Sequence, residues 1–218
     1  MKDEIDLFIN YPSKIAAELI NDEIDLGLVP VVVIPQIKDC HIISDYCIGA
    51  NGDVASVCLF SDVPLQNIKK IILDYQSKTS VELLKILVKE FWKVDVLFEK
   101  GKEDYILDIN DTTAGLIIGD RALEQRKNFE YIYDLAGEWK EYTNYPFVFA
   151  AWVSNKNLPQ SFIDSFNKAN RYGLDHLDDV VKASPYSAYD LHTYYTQNIS
   201  YLLDNDKHKG MEAFLRKL

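Results

Sequence analysis

The sequence contains few cysteines and no segment typical of secretion or of membranes. Its three cysteines, Cys40, Cys47 and Cys58, are an odd number among apolar neighbours, which fits reduced, buried thiols better than a disulfide framework. No stretch approaches the roughly 20 apolar residues that a membrane-spanning helix needs. The acidic start, Met1 to Glu4, is followed by no long apolar run of the kind found in a signal peptide. We therefore expect a cytoplasmic protein with no membrane partner.

Positive charge and metal-ligand spacings are also scarce. The chain has 23 basic residues against 34 acidic ones, a net charge of -11 at pH 7. It has no basic stripe of the kind that binds nucleic-acid phosphates. No CxxC or HExxH spacing occurs, and the four histidines are scattered. These features predict no nucleic-acid partner and no metal site.

The residues that are present suit a globular protein of one large or two small domains. Hydrophobic residues make up 48% of the chain and charged residues 26%, which is ordinary for such a protein. Short apolar runs alternate with helical patterns, starting with a strand at 5–9, a helix capped by Ser13 and a strand at 24–29. Near the other end, Asn157 is expected to cap a further helix. The alternation predicts an α/β fold with a mostly parallel sheet.

One stretch carries the strongest signal for a binding site. An apolar strand at 71–73 is followed by a polar turn at 74–80 and then by a helix at 81–91. Free backbone N–H groups and the positive end of the helix dipole meet at such a turn, which can bind a carboxylate or a phosphate. The plainer alternative is that Ser77 or Thr79 only caps the helix, and capping is the commoner use of these residues.

Two other turns follow strands in the same way. Residues 49–56 contain two glycines and an Asn-Gly pair, and residues 119–120 end a buried strand. In α/β folds ligands bind beyond the carboxyl ends of strands, where these turns and the turn at 77–80 are expected. A plain β-turn remains the alternative for 49–56. The tyrosines from Tyr186 to Tyr201 favour an amphipathic core over a ligand cage.

Five short motifs in order resemble a known family. The chain is similar to the chorismate dehydratase family of the futalosine route to menaquinone, and the similarity covers essentially the whole chain. Each motif alone is weak, but the five together at fitting separations are specific. They are Asp25–Pro30, Gly52–Val57, Asp74–Ser80, Ile118–Leu123, and Asp134–Leu135 continued by Trp139, Thr143 and Pro146–Ala150.

The resemblance implies a two-lobed fold of the type II periplasmic-binding-protein kind, with a ligand cleft between the lobes. The chain is then expected to cross between lobes near 48–51 and near 147–150. Lobe one would comprise 1–49 plus 149–218, and lobe two would comprise 50–148.

The start of the chain departs from the family pattern. Family members begin with a strand and loop of the form Val-Ser-Tyr-Leu-Asn-Thr-x-Pro, and the loop supplies an asparagine to their active site. Nothing here matches it, so we expect the first strand and helix of lobe one to be missing. A sheet that lacks its first strand exposes strand edges and apolar surface, which favours self-association into oligomers.

The activity implied by the resemblance is loss of water from chorismate, giving 3-[(1-carboxyvinyl)oxy]benzoate, a carbon–oxygen lyase reaction that needs no cofactor. Ser77 and Ser80 are the expected catalytic residues, acting by orientation and electrostatics. The residues expected to contact the substrate are Asn51, Gly52, Ser56, Ser77, Lys78, Thr79, Ser80, Gly119, Asp120 and Phe147.

Other functions stay open at this point. The chain could be a binding protein of the same fold that holds a small carboxylate without chemistry, or an inactive, N-terminally truncated form. A related family in the same route opens a cyclic futalosine derivative, but the turn at 77–80 and the strand at 146–150 favour the dehydratase. Ala55 stands where the family usually has arginine, and losing a bidentate carboxylate donor would weaken or alter binding unless Lys78 or another residue replaces it.

Overall fold

The computed structural model describes residues 5–218, which form two α/β lobes built on two separate sheets. The strands are β1 (Leu26–Pro30), β2 (His41–Ala50), β3 (Val57–Ser61), β4 (Lys70–Leu73), β5 (Leu97–Lys100), β6 (Thr113–Ile118), β7 (Tyr131–Asp134), β8 (Phe147–Ser154) and β9 (Ser200–Leu202). The α-helices are α1 (Pro12–Ile20), α2 (Lys78–Ile86), α3 (Asp120–Gln125), α4 (Leu135–Thr143), α5 (Gln160–Asp175), α6 (Leu177–Ala183), α7 (Leu191–Thr193) and α8 (Asn205–Leu215). Short 3-10 helices cover Val31–Gln36, Leu65–Asn67 and Tyr105–Asp108, and π-helical turns cover Leu87–Trp92 and Tyr194–Asn198.

The first sheet has the strand order β1-β8-β2-β9, and its neighbouring strands are antiparallel. β2 ends at Ala50, which lies opposite Phe147 at the start of β8. The next strand, β3, begins at Val57 in the second sheet, and α4 ends at Thr143 just before β8. The chain therefore passes between the two sheets twice, side by side. The lobe limits given above remain a prediction.

The second sheet is mixed, with the order β5-β4-β6-β3-β7. β4 is parallel to β5 and β6, whereas β3 is antiparallel to β6 and β7. The prediction of a mostly parallel sheet is therefore wrong. It assumed that each helix returns the chain to the same sheet in the same direction. Instead, β3 receives the chain from the other lobe and runs against β6.

The buried strand at the centre of the sequence signal is confirmed. Ile71, Ile72 and Leu73 in β4 are at most 9% exposed and lie between two parallel neighbours. A strand covered on both faces needs a continuous apolar run, and such a run is easily recognised in the sequence.

The expected strand at 5–9 is wrong. These residues lie outside any helix or strand, and Leu7, Phe8 and Ile9 are 65% to 92% exposed. An apolar run forms a strand only where another strand supplies backbone partners, and residues 5–9 pair with none of the described strands.

Two helix starts also differ from the expected caps. α1 begins at Pro12 rather than after Ser13, because proline suits the first helical position, where its missing N–H costs nothing. α5 begins at Gln160, directly after Pro159, so Asn157 is not its cap.

An aromatic cluster joins the two lobes on the side of α4 and α8. The ring of Trp139 lies 5.6 Å from that of Phe147 and 6.2 Å from that of Phe214. All three side chains are at most 1% exposed. Beside them the Lys217 ammonium binds the carboxylate of Glu90 in the other lobe. These contacts tie α4 to the end of the chain.

The cysteines are free thiols, as predicted. Cys47 and Cys58 are buried and Cys40 is half-buried. Burial raises the pKa of the Cys47 thiol to about 12, so this side chain stays protonated and serves as a small apolar residue.

Candidate functional site

The sequence-predicted turns meet at one edge of the second sheet. β4 and β6 are parallel neighbours, so their carboxyl ends, followed by residues 74–80 and 119–121, lie at the same edge. β3 runs against β6 with Val57 opposite Ile118, which brings the preceding loop, 51–56, to that edge as well. β7 ends there too, at Asp134. Four loops from distant parts of the sequence thus surround one place.

The turn before α2 carries a pair of serines in direct contact. The Ser80 backbone N–H donates to Ser77 Oγ over 3.2 Å, and Ser77 Oγ donates to Ser80 Oγ over 2.8 Å. Ser77 is therefore the N-cap of α2; the cap is present, and binding of a ligand at the same turn stays a separate prediction. The hydroxyl of Thr79 is buried and has no hydrogen-bond partner among residues 5–218. The turn at the positive end of the helix thus carries two serines in contact and a buried threonine.

A buried carboxylate holds this turn in place. Asp74 Oδ1 accepts from the backbone N–H groups of Gln76 and Ser77, over 2.8 and 3.1 Å. Its Oδ2 accepts from Arg121 Nη2 over 2.6 Å, and the Tyr105 hydroxyl lies 3.1 Å from Oδ2 while making a closer hydrogen bond to the Leu116 carbonyl. The Asp74 side chain is fully buried, so this charge-assisted network is worth more than a surface pair. Through this bond Arg121, which follows β6, links its own loop to the turn before α2.

A second buried carboxylate, Asp134, holds the loop before β3. It accepts from the backbone N–H groups of Val54 and Ala55 over 3.1 and 2.6 Å. It also caps α4 by accepting from Ala136 and Gly137. Burial raises the pKa of the Asp134 carboxyl, and these backbone donors oppose that rise.

The loop conformation depends on a strained residue. Ala55 has φ +65°, which is unfavourable for a residue with a Cβ, and it is buried. Its neighbour Ser56 is joined to the third turn, because the Gly119 N–H donates to the Ser56 carbonyl over 2.8 Å. Gly119 itself has φ +63°, which glycine adopts at little cost.

Three side chains from lobe one reach this edge from residues 186–198, here called the tyrosine segment. The Tyr194 hydroxyl donates to Ser56 Oγ over 2.9 Å. The Tyr186 hydroxyl donates to the carbonyl of Asp120 over 3.3 Å, and Asn198 Nδ2 donates to the carbonyl of Asp53 over 3.1 Å. Lobe one thus closes on the loops of lobe two.

Sequence reasoning missed the role of this segment. It assigned the tyrosines to an amphipathic core, and Tyr194 and Tyr201 do pack against the core. It did not foresee that the half-buried Tyr194 also contacts Ser56 across the lobes. The density of the tyrosines, with four within ten residues, was the available signal, since tyrosine suits surfaces that are apolar on one side and polar on the other.

The remaining expected site residues fall into two groups. Asn51, Lys78 and Asp120 are exposed at the loops described above, and Gly52 has φ +131°. Phe147 differs from them: its ring is 1% exposed and packed between Trp139 and Phe214. In this conformation the Phe147 ring serves the interlobe cluster. Ser56, Thr79 and Ser80 are likewise buried, at 4% exposed or less, but unlike the Phe147 ring they carry hydroxyls at the site loops.

Two cavities lie outside the serine turn. A polar cavity of about 440 Å³ lies beside the 51–56 loop, with Asp53, Arg126 and Glu138 among its lining residues. Another cavity, of about 540 Å³, is lined by three lysines, Asp95 and four apolar residues, and it shares no residue with the site loops. Within residues 5–218, no three His, Cys, Asp or Glu side chains come together as a metal site would need. None of the helices in that range is long and apolar enough to cross a membrane.

Two lobes on separate sheets, two side-by-side crossings and polar loops facing each other define a fold of the periplasmic-binding-protein type. Solved structures share it. A protein from Archaeoglobus fulgidus matches with a TM-score of 0.71 at 14% identity, over 98% of this chain and 85% of that one. The periplasmic aliphatic sulphonate binding protein SsuA from Escherichia coli matches with a TM-score of 0.53 at 13% identity, over 94% of this chain and 79% of that one.

Sequence comparison identifies the family within this fold. The family described as menaquinone biosynthesis matches residues 1–218, and the chain belongs to that family. A relative named chorismate dehydratase, from Thermus thermophilus, is 27% identical over 231 residues, which cover 95% of this chain and 84% of the relative. The family resemblance and the expected two-lobed fold are thus confirmed.

Proposed function

We propose that this protein is a chorismate dehydratase that eliminates water from chorismate to give 3-[(1-carboxyvinyl)oxy]benzoate. Family membership and the similarity to the Thermus thermophilus relative support the substrate. The observation that carries the proposal is the hydroxyl-lined start of α2, where Ser77 and Ser80 stand on a turn held by Asp74. We keep a cytoplasmic location as part of this prediction.

The serine pair suits an anionic substrate. Its two hydroxyls carry two protons, and one of these joins the two oxygens. The other has no acceptor among residues 5–218, so it is free to donate to a ligand. Chorismate presents two carboxylates and a ring hydroxyl. The free proton, the buried Thr79 hydroxyl and the helix dipole together favour an anion or a developing hydroxide at this turn.

The reaction asks little more of the protein than orientation. The ring loses a hydrogen and a hydroxyl and becomes aromatic, so the products are strongly favoured. Fixing both carboxylates places the leaving groups in one reactive geometry, which is itself a large rate contribution. In this proposal Ser77 and Ser80 act at the departing groups, while Ser56 and the Asn51–Gly52 turn hold a carboxylate. No cofactor is invoked.

The test is turnover of chorismate by purified protein, with the product measured by mass. We expect conversion by the wild type and a fall in kcat/KM of about 10²-fold in Ser77→Ala and in Ser80→Ala, as for loss of one preorganised donor. Ser165→Ala is the matched control, because the Ser165 hydroxyl bonds only a carbonyl within α5, on the surface of lobe one. Full activity of both site variants would remove this turn from the chemistry.

The second candidate is a binding protein without catalytic activity. It is favoured by Ala55, which is buried at the position where the resemblance expects an arginine, and by the likeness in fold to binding proteins. A chorismate-dependent rise in Tm with no product after prolonged incubation would establish binding without catalysis.

A further inference from the structure

We infer that Tyr194 is a positioning residue that orients the Ser56 hydroxyl toward a substrate carboxylate. The inference rests on the proposed function, and it extends the site to a lobe-one residue outside the predicted set. The Tyr194 hydroxyl donates to Ser56 Oγ over 2.9 Å. The two residues are 138 positions apart in the sequence, so the contact exists only when the lobes meet.

The proton inventory of the two hydroxyls gives the contact its chemical meaning. A hydroxyl donates one proton and accepts at two lone pairs. When Tyr194 donates, Ser56 keeps its own proton, and no other side chain or backbone atom among residues 5–218 accepts it. The tyrosine therefore fills one lone pair of the serine oxygen and leaves the serine O–H as a donor for a ligand. Such a donor suits a carboxylate.

The surroundings hold both partners in this arrangement. Ser56 is 4% exposed, and its carbonyl accepts from Gly119. The Tyr194 ring packs 5.2 Å from that of Tyr195 and 6.3 Å from that of Tyr189. Because its ring is packed, Tyr194 has already lost most of its rotamer freedom. Its hydroxyl therefore holds one direction toward Ser56 at little further cost in entropy.

A second link attaches the same segment to the same loop. The Tyr189 hydroxyl donates to Asn198 Oδ1 over 3.1 Å, and Asn198 Nδ2 donates to the Asp53 carbonyl. The tyrosine segment thus contacts the 51–56 loop on both sides of Val54 and Ala55. Burial raises the pKa of the Tyr194 hydroxyl and the hydrogen bond with Ser56 opposes that rise, so the hydroxyl remains protonated throughout the neutral range.

The experiment is a double-mutant cycle on chorismate affinity and turnover with Tyr194→Phe, Ser56→Ala and the double variant. Tyr194→Phe removes only the hydroxyl and keeps the ring packing. We expect it to raise KM and the chorismate Kd about three- to tenfold with kcat within about twofold, and Ser56→Ala to raise both by about tenfold or more. In the Ser56→Ala background, Tyr194→Phe should change KM by less than about twofold, because its effect passes through that serine.

Tyr133→Phe is the matched control. It also removes a half-buried tyrosine hydroxyl that makes one hydrogen bond, to the Leu65 backbone N–H, away from the site loops. We expect it to lower Tm and leave KM unchanged. The positioning role would be overturned if Tyr194→Phe had equal effects in the wild-type and Ser56→Ala backgrounds, or if it lowered Tm and left KM and Kd unchanged. The proposed function is judged separately, by whether the wild type converts chorismate. A wild type that neither binds nor converts chorismate would reject both.

Discussion

Asp134 fixes the backbone of Ala55: the Ala55 N–H donates to Asp134 Oδ2 over 2.6 Å, and Ala55 has φ +65°. A residue with a Cβ keeps such a conformation only when its surroundings hold it there. The carboxylate that caps α4 therefore also shapes the loop that presents Ser56.

Replacing Asp134 by asparagine tests this coupling. Asp134→Asn turns one acceptor oxygen into an NH₂ group that faces backbone N–H donors, so we expect a loss of about 2 to 3 kcal/mol in the free energy of unfolding. Chemical denaturation measures it. The control is Asp190→Asn, because Asp190 is an exposed N-cap that accepts one backbone N–H, and asparagine caps as well as aspartate. Equal stability of the two variants would mean that the loop does not depend on Asp134.

Replacing Asp74 by asparagine tests the support of the serine turn in the same way. Asp74→Asn removes the buried charge that pairs with Arg121, and we expect it to cost about 3 kcal/mol of stability because the guanidinium loses its partner. The displaced turn should also lower kcat/KM for chorismate. Asp25→Asn, at an exposed pair with Lys156, should cost under about 1 kcal/mol. Unchanged stability of Asp74→Asn, by urea titration, would contradict the network as described.

The contact between Glu90 and Lys217 predicts a pH dependence. Hydrogen bonds from Lys217 and then Tyr142 lower the pKa of Glu90, and the hydrogen bond to Glu90 raises that of Lys217. A carboxyl with a lowered folded pKa stabilises the fold above its unfolded pKa and loses that contribution as the pH falls through the folded value. An amine with a raised pKa loses its contribution only as the pH rises through its own folded value.

The wild type should therefore exceed Lys217→Met in stability by a constant free energy near neutral pH, and this difference should fall toward zero as the pH drops through the folded pKa of Glu90, which lies below its usual value. Both side chains are about one-quarter to one-third exposed, so solvent screening limits the free-energy difference between the two proteins to about 1 kcal/mol. Thermal unfolding at several pH values gives the difference. Lys168→Met, on the exposed face of α5, is the reference and should have no such profile. A difference that persists in acid would show that Lys217 acts through packing.

Local signals predicted much of this molecule. Ile71 to Leu73 formed the expected buried strand, and Ser77 the expected cap, because a continuous apolar run and a hydroxyl before a helix have causes that act within a few residues. The glycine at 119 was expected in a turn and has a positive φ.

The misses depend on distant residues. The antiparallel direction of β3 follows from the crossing between lobes, which no local period encodes. Ala55 and Asp134 are 79 positions apart, so the strained loop could not be foreseen from the residues around Ala55. A separation of 138 positions likewise hid the contact of Tyr194 with Ser56.

The two connections between the lobes also set how the cleft can open. β2 and β8 remain paired as they leave the first sheet, with Gly49 opposite Val148 and Ala50 opposite Phe147. Two hydrogen-bonded strands resist shear along their length and yield most easily by bending across it. We therefore expect the ladder to favour swinging of the lobes about an axis across these strands over sliding of one lobe along the other.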